Sequence, residues 1–141
     1  MASINFFNED LDFDLENSEK TRRWIQEIIK KENFVLNELN FVFCSDNYLH
    51  TINMEYLDHD TYTDIITFDN SEIKNEIEGD IFISVERVRE NAKSFKRTFT
   101  NELHRVIIHG VLHLLGYKDK TEEEATLMRK KEDESLNFSQ F

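Results

Sequence analysis

Two histidines, His109 and His113, stand four residues apart in the segment Ile108–Lys120, which reads IHGVLHLLGYKDK. On a helix that spacing stacks both imidazoles on one face, where they can converge on a single divalent ion. Gly110 occupies the position where a zinc peptidase motif carries its glutamate base, so the peptidase version of the pattern is absent. A glycine inside a helix costs about 1 kcal/mol relative to alanine, which implies close packing or close ligand approach at that point. Gly116 follows the apolar run and reads as the left-handed residue that stops the helix. The chain then turns, so Tyr117–Lys120 folds back and offers Asp119, six residues after His113, as a third ligand. The competing reading makes the histidines hydrogen-bonded core residues and Asp119 a group that caps or solvates the turn.

These residues need elements to hold them. Ser3–Phe7 reads as an edge strand and Asn8–Asn17 as an acidic loop. Ser18 is placed to cap a helix running to about Glu32, with Trp24, Ile25, Ile28 and Ile29 on one face. Leu39–Cys44 alternates like a strand, and Ser45 then caps a helix over Asn47–Leu57. Thr63–Phe68 and Gly79–Ser84 read as strands joined by a polar connector, Asn70–Glu78. Val85–Phe95 and Thr100–Leu115 follow as helices, and Thr121 with Glu124 forms a capping box for a last helix ending near Leu136. The order predicts an α/β (α+β) domain: a small mixed four-stranded sheet covered by about five helices, with the candidate site at the end of a central apolar helix.

The chain has 141 residues, which predicts a single domain over 1–141. Hydrophobic residues make up 39% and include 12 Phe, enough for a core and against disorder at a mean hydropathy of −0.60. No apolar run approaches the ~20 residues of a membrane span, and Met1–Asp10 lacks the pattern of a secretory signal. A single cysteine, Cys44, excludes an internal disulfide and fits a reducing cytoplasm; it reads as a small buried hydrophobe. The net charge is −12, which argues against DNA and against any broad nonspecific nucleic-acid surface, while leaving room for a local basic groove. The one dense basic stripe is Arg89, Lys93 and Arg97 at i, i+4 and i+8, read either as a phosphate-contacting rim or as a solvated face.

The histidine segment resembles the motif of the YbeY family of bacterial rRNA maturation factors. His109, Gly110, Leu112, His113, Leu114, Gly116 and Tyr117 match in order. Asn53, Tyr56, Thr63, Asp64, Ile65, Phe68, Gly79, Asp80, Glu102 and His104 fit as well. The resemblance implies a metal-dependent endoribonuclease acting on single-stranded RNA in 16S rRNA maturation and ribosome quality control, with rRNA or the small ribosomal subunit as partner. It also implies a zinc-type ion held by three histidines. Two of these carry over onto His109 and His113; the third position holds Asp119, preceded by Lys118 where the family has aspartate. Leu57 stands where many members carry an arginine that contacts RNA.

Carboxylate oxygen binds zinc at about 2.0–2.2 Å, and two nitrogens with one oxygen form a known catalytic ligand set. It makes the ion a weaker Lewis acid than a third imidazole and shifts preference toward harder ions, so zinc is expected first, with manganese, nickel or magnesium as alternatives. His59 and Asp60 precede the strand that the resemblance puts beside the site; His59 is a candidate for proton transfer or phosphate contact. Asp64 either orients a histidine ring or simply begins the strand. Asp80 reads as structural. His104 lies ~140° round the helix from His109 and reads as a surface histidine, with a supporting or substrate role as the alternative. A metal-dependent hydrolase of another substrate, and a noncatalytic ribosome-assembly factor, remain open beside the nuclease.

Overall fold

The computed structural model describes residues 2–59 and 61–138, so Asp60 lies outside the described residues. The elements run β1 (Ser3–Asn8), α1 (Ser18–Lys31), β2 (Val35–Cys44), α2 (Asp46–Leu57), β3 (Ile65–Asp69), β4 (Glu76–Ser84), α3 (Val85–Ser94), α4 (Phe99–Leu114) and α5 (Glu122–Asn137). The expected order therefore holds, and the sheet is four-stranded and mixed. Strand order is β1-β2-β4-β3; β1 and β4 flank β2 in parallel, and β3 runs antiparallel along β4 with Ile65 opposite Ile83.

Alternation along the strands divides the apolar residues between two faces. Leu39, Phe41 and Phe43 of β2 and Ile77, Ile81 and Ile83 of β4 join α1, α4 and Met128 of α5 in the larger core. Phe82 and Ile66 turn the other way and pack with Cys44 against Leu49 and Ile52 of α2. Asp80 also faces this second side, accepting from Asn40 Nδ2 at 3.0 Å and Asn70 Nδ2 at 3.2 Å, while Asn5 Nδ2 donates to Asn40 Oδ1 at 3.0 Å. Asp80 thus ties a polar row across the sheet, as its structural reading requires.

Three local expectations need correction. Ser18 is the first residue of α1, and Asn17 is its N-cap, in a left-handed conformation without a side-chain cap bond. β2 begins at Val35 and β4 at Glu76, because these ends pair with each other, Val35 opposite Glu76 and Leu36 opposite Ile77, with a register shift before Glu38. α3 ends at Ser94, and Lys96 takes a positive φ of 55°, so Arg97 is not on the helix that carries Arg89 and Lys93. The Ser45 cap and the Thr121–Glu124 capping box form as expected.

Candidate metal centre

Helix α4 is buried almost all round. From Glu102 to Leu114, only Arg105, His109 and His113 escape full burial, and they recur every fourth residue as one polar strip. Each fully buried Val, Ile or Leu stabilises by roughly 1.5–3 kcal/mol, so the packing of this helix fixes the direction of both histidines. At Gly110 α4 packs tightly on the sheet: a Cβ there would lie 2.8 Å from Ile65 Cδ1 and 3.0 Å from Ile81 Cδ1. The glycine therefore serves close packing. The helix stops at Gly116, whose φ of 102° suits glycine; its N–H donates to His113 O at 3.0 Å, and that of Tyr117 to Leu112 O at 3.0 Å.

The turn after Gly116 brings Asp119 back to the histidines. His109 Nε2 and His113 Nε2 are 3.0 Å apart, and Asp119 Oδ2 lies 3.3 Å from the first and 3.4 Å from the second. The outer nitrogens decide what these atoms are. His109 Nδ1 is 2.7 Å from Glu132 Oε2, and His113 Nδ1 is 3.1 Å from the carbonyl oxygen of Tyr117. Both partners only accept, so each Nδ1 donates, and in its neutral form each ring turns a lone pair at Nε2 toward its neighbour. With both rings neutral, two lone pairs and a carboxylate oxygen converge there, an arrangement that suits a cation. A tetrahedral ion with bonds of about 2.0–2.1 Å separates its ligands by about 3.3 Å, close to the triangle observed. The three side chains fit a metal ion, and among the described residues they form the one such cluster. For His109, burial works against protonation, but the Glu132 hydrogen bond and the charges of Glu132, Asp119 and Asp64 outweigh it and raise the imidazole above its usual range.

Glu132 is the functional residue that the sequence reading missed. It sits on α5, is 8% exposed, and is gripped from behind by Arg105 Nη1 at 3.1 Å, while Arg105 Nη2 reaches Asp133 at 3.0 Å. The role anticipated for Asp64, orienting a ring, is performed by Glu132 and the Tyr117 carbonyl. Asp64 accepts instead from Asn91 Nδ2 at 3.5 Å; burial raises its carboxyl above the usual range against the lowering influence of His109.

A family model described as endoribonuclease YbeY matches residues 3–140. The chain belongs to the YbeY family. A relative named endoribonuclease YbeY in Cytophaga hutchinsonii is 55% identical over 139 residues, covering 99% of this chain and 97% of that one. Another of that name, in Christiangramia forsetii, is 56% identical over 135 residues, covering 96% and 93%. The solution structure of a Thermotoga maritima protein shares the fold with a TM-score of 0.64 at 29% identity, covering 96% of this chain and 90% of that one.

Around this YbeY-family cluster lie two adjoining cavities. The first, about 670 Å³, is lined by His109, His113 and Asp119 together with Asn53, Leu57, His59, Thr61, Asp64 and Lys120. Asn53, 3% exposed, shapes its rim by donating from Nδ2 to the Thr61 carbonyl at 2.9 Å. The second, about 570 Å³, shares Asp64, Ile65 and His109 and carries Arg97. The expected basic stripe divides: Arg89 lies over the Phe99 ring at 5.0 Å and lines a separate cavity with Asp12, Asp14 and Glu16, while Lys93 is exposed and lines neither cavity of the site. His104 is not a surface residue. It is 7% exposed against Trp24, with ring centroids 5.5 Å apart, lies outside both cavities, and burial lowers its pKa below 6.5. Cys44 is buried as expected, its thiol pushed up to about 12 by burial and nearby carboxylates. No helix among the described residues is long and apolar enough to cross a membrane.

Proposed function

We propose that this chain is a metal-dependent endoribonuclease that cuts single-stranded RNA in 16S rRNA maturation and ribosome quality control. It acts in the cytoplasm as one YbeY-like domain over 1–141, on rRNA or the small ribosomal subunit. The observation that carries this reading is the convergence of three ligand atoms, from His109, His113 and Asp119, in a chain of the YbeY family. A divalent cation held there supplies Lewis acidity toward a phosphoryl oxygen and acidifies water. Zinc is the first expectation; the Asp119 carboxylate also admits manganese, nickel or magnesium. Glu132 and the Tyr117 carbonyl hold the Nδ1 protons, which keeps both Nε2 atoms free as ligands. His59, on the wall of the first cavity, contacts phosphate or carries a proton.

The test is cleavage of a single-stranded RNA by wild type and Asp119→Ala, with circular dichroism to follow the fold. The reading expects the variant to lose activity by about a hundredfold or more with its spectrum unchanged, since an ion with one ligand removed is held far more weakly. Equal rates would refute it. One observation favours a second reading: Leu57, 42% exposed, lines the first cavity where the family resemblance expects an RNA-contacting arginine. A noncatalytic ribosome-assembly factor would show no cleavage even as wild type and would keep its ribosome association in Asp119→Ala.

A further inference from the structure

The second cavity has features that holding a metal does not require. Phe95, which lines it, is 57% exposed. Over its ring stands the Arg97 guanidinium, with Cζ 5.2 Å from the centroid. Arg97 is held there: Nη1 donates at 2.8 Å to Glu102, whose side chain is 4% exposed, and the Arg97 N–H donates to the Ala92 carbonyl at 2.8 Å. The positive φ of Lys96 makes the turn that sets Phe95 and Arg97 side by side. A cation fixed against an exposed aromatic ring, in a cavity that His109 also lines, is a prepared surface without an occupant from this chain among the described residues.

We propose that Phe95 and Arg97 form a stacking platform for one unpaired base of single-stranded RNA, seated in the second cavity while the adjoining phosphodiester lies at His109; this rests on the nuclease reading above. Every base offers a π face, so stacking on an aromatic ring with a neighbouring guanidinium tolerates any sequence and requires only that the base be unstacked from its own duplex. One bond to Glu102 also leaves further N–H donors of the five-donor guanidinium for a phosphate. The exposed Arg129 adds a further cation to a lining that also holds Asp64, Glu102, Glu132 and Asp133.

The test measures KM and kcat separately for cleavage of a short labelled single-stranded RNA by the metal-loaded, full-length protein. Wild type is compared with Phe95→Ala and Phe95→Trp, and melting temperatures are followed in parallel. The platform predicts that Phe95→Ala raises KM about tenfold or more with kcat little changed, and that Phe95→Trp restores it. Unchanged KM in Phe95→Ala, with cleavage intact, overturns the platform and leaves the nuclease reading standing. If Phe95→Ala instead loses small-subunit association at unchanged KM, the platform is again overturned and the face belongs to a protein contact. No cleavage by wild type with any divalent ion removes the nuclease reading, and the platform with it.

Discussion

Glu132 determines which nitrogen of His109 is free, although it is not itself one of the candidate ligands. Its carboxylate holds the Nδ1 proton at 2.7 Å, and Arg105 holds the carboxylate. Glu132→Gln should therefore weaken zinc binding about ten- to a hundred-fold in competition against a chelator. Unchanged affinity would show that the ring needs no such partner. His104 makes a separate prediction. Its folded pKa is lowered by burial, so the stability of the neutral form is complete above 6.5 and is lost as pH falls through the folded value. An imidazole NMR titration should place its midpoint below 6.5; a midpoint at or above that value would contradict the burial argument. His109 in metal-free protein has the opposite sign, its contribution present below 6.5 and lost as pH rises through its raised pKa. Residue by residue, the ligand candidates were legible because a single segment holds them and a glycine stop turns the chain back. Glu132 was not: it lies on another helix, inside an acidic run with no local pattern to mark it.

The elements that hold the site were read correctly where their cause is local. The apolar run of α4, the hydroxyl caps of α2 and α5, and Gly116 each act within a few residues. The first halves of β2 and β4 were missed because Val35–Glu38 and Glu76–Glu78 become strand only through each other, a pairing between distant segments. The break after α3 was missed because no proline or glycine marks it; Lys96 turns the chain instead. Two substitutions test the supports. Gly110→Val puts branched carbon into the 2.8–3.0 Å contact with Ile65 and Ile81 and should cost about 2–3 kcal/mol in urea denaturation. A neutral result would mean that α4 is free to shift. Thr121→Ala removes the cap of the helix that carries Glu132 and should cost about 1 kcal/mol by the same measurement, with no loss if the capping box is idle.

Across the whole molecule, the net charge of −12 reaches the site itself. Arg97, Arg105 and Arg129 line the second cavity beside His109, but Asp64, Glu102, Glu132 and Asp133 line it too, so the proposed RNA is held there by the Phe95–Arg97 platform and the metal centre rather than by a basic surface. Composition could exclude a broad basic surface but could not bring these arginines together, since Arg97, Arg105 and Arg129 come from the α3–α4 junction, α4 and α5. The central claim is that one divalent ion held by His109, His113 and Asp119 makes the chain a nuclease. The most direct measurement strips the full-length protein with a chelator, removes the chelator, and follows single-stranded RNA cleavage as zinc is returned in increments. Activity should be absent in the stripped protein and rise to a plateau at one ion per chain. Full cleavage by the stripped protein, or none at any zinc level or with manganese, nickel or magnesium, would contradict the account.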